Sequence, residues 1–416
     1  MFRHNIKYIV LLLYLVPCCT GVWAQRHEIL DSRIASLQVT AGDDWLHLPV
    51  IELTQQTPLL ISFDDLTHVY HRYLYKIEHC EADWTPSEQL FSSDYCQGFA
   101  QDNTIDEIAQ SINTIQPYTH YSLQIPNDKC RLKMSGNYLL TVYDGNDNDR
   151  PVLKVCFMVV EQLVGIGMEV VTNTDADING RHQQVNLSLK YGGLTVTEPT
   201  TQLKTVVMQN GRWDNAVVNA KPQYVMDDGL QWLHNRSFIF NGGNEYRKFE
   251  MLDPSHPTMG LESIDWDGKR YNAHIWTDEP RPSYVYDEDA NGAFVIRNSD
   301  NREVDYTSEY IMAHFRLRSP LLPGDIYIAG AWTNDRLLPI YKMQWNDVDQ
   351  LYEAALWLKQ GYYNYQYVWR KTDGTLAPVP SEGNFYQTEN EYTTLVYYRG
   401  LGDRSDRLVG YTRLKT

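Results

Sequence analysis

Apolar and polar residues alternate along most of the chain. "LLISFDD" (Leu59–Asp65), "YLYKIEH" (Tyr73–His79), "YLLTVYDG" (Tyr138–Gly145) and "LKVCFMVV" (Leu153–Val160) read as strands, whose side chains alternate between two faces. The last two flank "NDNDRP", a polar turn, and predict a hairpin. The pattern continues downstream in "VNLSLKYGG", "LKTVVMQNG", "IMAHFRLRS", "DIYIAGAW", "YEAALWL" and "TTLVYY". One stretch departs from it. "TIDEIAQSIN" has helical spacing, with Ile105, Ile108, Ala109 and Ile112 on one face, and predicts a helix. Short strands with frequent turns and very little helix predict an all-β chain of tandem β-sandwich domains, immunoglobulin or early-set in type.

At ~150 residues per domain, the 416-residue chain is long enough for two or three domains. The expected division is a signal peptide over 1–24, an N-terminal β-sandwich over 25–162, a middle β domain over 163–300 and a C-terminal early-set immunoglobulin-like domain over 301–416. The leader reading rests on Arg3, His4 and Lys7 followed by the apolar Tyr8–Val16. In "GVWAQ", Val22 and Ala24 stand at the −3 and −1 positions of a cleavage site before Gln25. The apolar run is shorter than the ~20 residues a membrane-spanning helix needs. Cys18 and Cys19 raise a lipoprotein alternative, against which Pro17 occupies the place of a small residue. The mature protein is therefore expected to be exported and soluble.

Charge narrows the partners. Without Arg3 and Lys7, the 36 basic residues fall to 34 against 53 acidic ones, a formal charge of −19. Such a surface repels nucleic acid and anionic headgroups. Aromatics reach 12%, with 30 tyrosines, and favour strands. Cys80, Cys96, Cys130 and Cys156 would remain after cleavage, and an oxidising compartment would allow pairing. Three connectivities are open; Cys80–Cys96 closes the more plausible short loop, and buried free thiols are the alternative.

Enzyme signatures are sparse. The chain has no G-x-S-x-G elbow, H-E-x-x-H helix, glycine-rich phosphate loop or C-x-x-C. His79, Cys80 and Glu81 in "EHCEADW" are the one Cys/His neighbourhood. Adjacent strand residues point to opposite faces, so His79 and Cys80 make a poor nucleophile–base pair. Two loops open like calcium sites: "DADING" (Asp175, Asp177, Asn179, Gly180) and "DEDANG" (Asp287, Asp289, Asn291, Gly292). The twelfth position, which should be a bidentate Glu, is Asn186 in one and Asn298 in the other, and Asn-Gly is itself a hairpin-turn signal. No catalytic, cofactor-binding or metal residue is assigned.

The stretch from Tyr327 to Gly374 resembles the early-set modules that include glycogen- and starch-binding domains. "IAGAWTN" stands for their opening, "YEAALWL" for the middle strand and "KQGYYNYQYVW" for the return. Sugar binding would need an exposed tryptophan pair, with Trp332 and Trp345 as candidates; core packing is the competing role. In "KQGYYNYQYVWR", alternation puts Tyr363, Tyr365, Tyr367 and Trp369 on one face. Tyr362, Asn364, Gln366, Val368 and Arg370 fall on the other. An aromatic stripe opposite a mostly polar one is expected to face inward.

From Ile34 to Gly410 the chain resembles a family from Bacteroidota described as the plug of the type IX secretion system. The resemblance is carried by "LPVIEL" (Leu48–Leu53), "ISFDDL" (Ile61–Leu66), "HCEADW" (His79–Trp84), "NTIQPYTHY" (Asn113–Tyr121) and "MSGNYLLTVYD" (Met134–Asp144). It continues in "VVMQNGRWDNA" (Val206–Ala216), "GGNEYRKFE", "NGAFVIRN", "DYTSEYIMAHF" and "LVYYRGLGDRSDRLVG". The family reads more like a strand where "TIDEIAQSIN" stands. The resemblance implies a periplasmic protein without enzymatic activity or cofactor. Its implied partner is the outer-membrane translocon barrel of the SprA/Sov type, whose periplasmic opening it would bind and whose pore it would seal when idle. The alternative from the C-terminal module is a periplasmic carbohydrate-binding protein.

Overall fold

The chain is described by a computed structural model covering residues 26–416 apart from Gln56 and Asn148. The leader over 1–24, with its cleavage site and Cys18–Cys19, lies outside the described residues. About 47% of the described residues are strand and 7% helix, which establishes the all-β class.

Four sheets stack face to face. The outermost contains Ile34–Ala41, Leu59–Asp65, Thr119–Ile125 and Glu107–Gln110. The second is built on Arg150–Val160, Gly136–Asp144 and Tyr73–Cys80. Ile61, Phe63, Tyr75, Ile77, Tyr138, Leu140, Val155 and Phe157 fill the space between them. The third sheet contains Val217–Val218, Leu203–Gln209, Glu391–Tyr398 and Arg407–Lys415. It packs on the back of the second through Cys80, Cys156, Met158 and Val160 against Val206, Met208, Leu395, Tyr397 and Leu408. Its other face contributes Leu203, Val207, Tyr392, Val396 and Val409 to a core with the fourth sheet, which supplies Val185, Leu187, Leu189 and Trp232. The second and third sheets are therefore covered on both faces. This accounts for the near-continuous apolar runs "CFMVV" and "LVYY", where a half-exposed strand would alternate.

A further sandwich occupies the chain between the fourth sheet and the last two strands. One of its layers is organised around Gly361–Arg370, the other around Tyr310–Leu317 and Leu351–Lys359. Phe249, Phe315, Trp332, Tyr363, Tyr365 and Tyr367 are prominent in its core.

Three expectations change. "TIDEIAQSIN" is not a helix: Glu107–Gln110 is a strand, antiparallel to Thr119–Ile125. Ile105 is buried while Ile112 is 51% exposed, so the four apolar residues do not share one buried face. The neighbouring strand supplies backbone partners that outweigh weak helical spacing. Sheet pairing also crosses the expected division at residue 300. Arg247–Met251 pairs with Gly361–Arg370, and Leu203–Gln209 pairs with Glu391–Tyr398. The last two strands thus belong with the middle unit, and the further sandwich interrupts it in sequence. Finally, "KQGYYNYQYVW", expected as the return after "YEAALWL", does not pair with it. At Gln360 the chain passes from one layer of the sandwich to the other, and Gly361 has no room for a side chain, since a Cβ would lie 2.5 Å from the Val295 carbonyl oxygen.

Candidate functional site

The residues singled out in the sequence do not converge on one chemical centre. His79 and Cys80 point to opposite faces of their strand. His79 contacts Tyr95 and Tyr138 on one side, and its imidazole is within hydrogen-bond distance of Ser87 Oγ and the Ser135 carbonyl. Cys80 packs on the other side, between the second and third sheets. Burial raises its thiol pKa to about 12, so it is a poor nucleophile.

The carboxylates of both "D-x-D-x-N-G" loops are engaged by their own turns and by neighbouring strands. Asp177 accepts from the Arg181 amide at 2.9 Å and meets His182 Nδ1 at 2.7 Å. Asp175 accepts from Gln184 Nε2 at 3.2 Å. In the second loop Asp287 pairs with Lys248, and Asp289 accepts from the amides of Asn291 and Tyr246. Asn179 and Asn291 adopt left-handed conformations, with φ of 48° and 49°, as the turns require.

Trp332 and Trp345 do not form an exposed pair. Trp332 lies in the further sandwich core, with its indole N–H donating to the Asn364 carbonyl, whereas Trp345 packs edge-on against Tyr352 at the rim. The stripe of Tyr363, Tyr365 and Tyr367 does face inward; Trp369 at its end is half-buried. The opposite face is less exposed than alternation implies, because Asn364 and Val368 are buried too. The hydroxyls of Tyr365 and Tyr367 both donate to Asp278 Oδ2, at 2.9 and 2.6 Å. Arg247 bridges Asp278 and Glu382 at 2.7 Å each.

What the fold does bring together are the segments that carry the family resemblance, and they meet at the joints between units. Asp64 of "ISFDDL" accepts from Lys359 Nζ at 2.7 Å; both side chains are buried. The same carboxylate accepts from Tyr310 at 2.7 Å and meets His120 Nδ1 at 2.7 Å. Lys359 also donates to the Asp305 carbonyl and lies 4.1 Å from the centre of the Tyr118 ring. Burial pulls the Lys359 ammonium below its usual pKa, against the opposing pull of Asp64. Beside it, Glu309 of "DYTSEYIMAHF" accepts from the amides of Ile115 and Gln116 in "NTIQPYTHY". Together these contacts fasten the first sandwich to the further one.

A second joint fastens the first sandwich to the third sheet. Asp406 is 1% exposed at its side chain, pairs with Lys204 Nζ at 2.7 Å and accepts from the Ala82 amide at 3.0 Å. Glu81 of "HCEADW" pairs with Arg399 and accepts from the Asp406 amide. Burial alone would raise the Asp406 pKa; Lys204, the Ala82 amide and Arg399 outweigh it and hold the carboxyl below its usual range. Tyr397 donates to Asn137 Oδ1 across the same interface.

A cavity of about 240 Å³ opens where these units meet, with Trp45, Trp84, Trp213, Tyr246, Asp289 and Glu391 in its wall. Trp84 is held in a left-handed conformation, φ 68°, edge-on to Trp213 at 5.7 Å. Burial raises the carboxyl pKa of Asp289 to about 7, and that of Glu391 likewise to about 7. The joints were hidden from sequence reasoning. Asp64 and Lys359 are charges at the ends of ordinary strand patterns, 295 residues apart, and nothing local pairs them.

Residues 34–161 match the family model described as the type 9 secretion system plug protein 1st domain. The match falls on the first sandwich. The crystal structure of a hypothetical protein from Parabacteroides merdae ATCC 43184 superimposes with a TM-score of 0.90 at 39% sequence identity. The alignment covers 94% of this chain and 99% of that one. No curated protein matches significantly.

Proposed function

The chain belongs to the type 9 secretion system plug family, and on that premise we propose that it binds the periplasmic opening of the giant outer-membrane translocon barrel, of the SprA/Sov type, and seals its pore when idle. The observation that carries this reading is the way the units are fastened. A stopper in a wide aqueous pore must keep its shape under load. The Asp64–Lys359 pair is buried on both sides and costly to separate, and Glu81, paired with Arg399 and accepting from the Asp406 amide, ties the first sandwich to the third sheet. Among the described residues, no helix is long and apolar enough to cross a membrane. Export would follow from cleavage between Ala24 and Gln25. The acidic surface would then set on-rate and orientation against a basic or hydrogen-bonding rim.

Two measurements test the proposal. A tagged copy should co-purify with a giant barrel subunit from outer membranes solubilised in mild detergent. A deletion strain should become permeable to large antibiotics normally excluded by the outer membrane. Failure of the first removes the partner; unchanged permeability with the first intact removes the sealing role.

A further inference from the structure

We infer that Cys96 and Cys130 form a disulfide in the exported protein, stapling a two-stranded ribbon on the flank of the first sandwich. The inference rests on the periplasmic reading above for its oxidising environment, and on geometry for its pairing.

Cys96–Gly98 and Cys130–Leu132 are antiparallel partners in a sheet of two strands. Cys130 stands opposite Gly98 and Cys96 opposite Leu132, so the two cysteines share a face on a diagonal. Their sulfurs lie 2.6 Å apart, both buried. Forming the bond would close the gap to ~2.05 Å, a small movement for two flexible thiols.

The other pairings fail on topology. Cys80 points away from Cys96: Tyr73, Tyr75 and Ile77 of its strand face the core that holds Cys96 and Cys130, while Cys80 faces the third sheet. The short loop that spacing favours, Cys80–Cys96, is therefore blocked by the sheet itself. Cys80 and Cys156 share a face, but Gly136–Asp144 runs between their strands, placing Cys80 beside Asn137 and Cys156 beside Leu139. Two strand spacings of ~4.8 Å separate their backbones by more than the ~7 Å a disulfide spans.

The chemistry is thiol–disulfide exchange. The Cys96 thiolate attacks an oxidised dithiol carrier, forming a mixed disulfide and releasing one carrier thiolate. The Cys130 thiolate then attacks the Cys96 sulfur and releases the second. The protein loses two electrons and two protons; the carrier gains the electrons, and the protons end on its thiols or in solvent. Since both sulfurs are buried after folding, exchange belongs to the folding chain, and the finished bond is shielded from reductants.

The ribbon needs the staple. Two paired strands are marginal by themselves. This one displays Phe99, 72% exposed, and follows the short helix that starts beside Phe91, 74% exposed. A covalent closure fixes those rings in place.

The test is thiol mapping of the full chain purified from the periplasm. Alkylation in denaturant without reductant should leave Cys96 and Cys130 unlabelled and joined in one crosslinked peptide pair. Reduction should expose all four and speed amide exchange across 96–98 and 130–132 at least tenfold. A C96S/C130S variant should show that faster exchange with or without reductant, while the co-purification with the barrel reports whether it still folds. Labelled Cys96 and Cys130 in the exported protein, or a crosslink joining either of them to Cys80 or Cys156, would overturn the inference. Oxidation of the purified, reduced chain during refolding in a glutathione buffer separates the two premises: if the pair forms there but not in cells, the compartment is wrong; if it forms in neither, the geometry is.

Discussion

Removing the Lys359 charge tests the joint between the first and further sandwiches most directly. Lys359→Met keeps most of the stem and deletes the ammonium, leaving Asp64 fully buried with Tyr310 and His120 as its remaining side-chain partners. Breaking a buried pair from one side costs about 3–5 kcal/mol, and the two surviving partners put this case near ~3 kcal/mol. For roughly 390 residues unfolding as one unit, ~2.1 cal/mol/K per residue gives an unfolding entropy of ~0.8 kcal/mol/K, so Tm should fall by ~4 °C. The double variant Asp64→Asn/Lys359→Met, which buries no charge, should recover most of the loss. Calorimetry and urea unfolding supply the magnitudes. Amide exchange over Asn113–Tyr121 and Asp305–Phe315 should accelerate in the single variant, because both segments meet at this joint. Lys76→Met, at an exposed pair with Glu78, serves as the control and should change stability by less than ~0.5 kcal/mol. A single variant as stable as that control, or a double variant no better than the single, would refute the account of the joint.

Three further substitutions probe other features. Asp406→Ala strips partners from Lys204 and the Ala82 amide, and should cost about 2–4 kcal/mol by urea midpoint. Tyr365→Phe removes one of two hydroxyls donated to Asp278 and should cost about 1–2 kcal/mol, with the sandwich otherwise intact. Glu391→Gln tests the cavity wall. Because the folded pKa is raised to about 7 from 4.5, the folded state holds a proton that the unfolded chain gives up earlier. Its stabilising contribution is present below pH 4.5 and lost as pH rises through about 7. His47, at 3.2 Å from Glu391, and nearby Asp44 and Lys415 are present in both proteins, so the comparison is between variant and parent at each pH. The variant should gain Tm over the parent at pH 8 relative to pH 5; a constant difference would contradict the assignment.

Fold class was legible because strand periodicity survives tertiary context. Leu59–Asp65 and Leu203–Gln209 begin where the alternation begins. The stripe of Tyr363, Tyr365 and Tyr367 was legible for the same reason. The helix expected at "TIDEIAQSIN" was not, since four weakly amphipathic residues carry less information than an available strand edge. Nor was the partition of the chain, because Glu391–Tyr398 looks like any strand and its partner, Leu203–Gln209, lies far upstream. The cysteines repeat that lesson: loop length favoured Cys80–Cys96, whereas sheet faces put Cys96 beside Cys130. Of the joints, the sequence displayed the charges but not their pairing. Long-range pairing of single residues leaves no periodic trace.

The return of the last two strands to the middle unit bears on how the protein can be made. A chain delivered N-terminus first across a membrane presents its first sandwich early, with Cys156, Met158 and Val160 awaiting a cover that the final strands help to supply. The entire further sandwich must emerge in the interval. Domain-by-domain folding during delivery is therefore interrupted, and an apolar sheet face stays open to the periplasm for the time it takes to deliver more than a hundred residues, of the kind that exposes nascent chains to self-association. Periplasmic holding factors, and not only the strength of the finished joints, should then govern how much plug a cell accumulates.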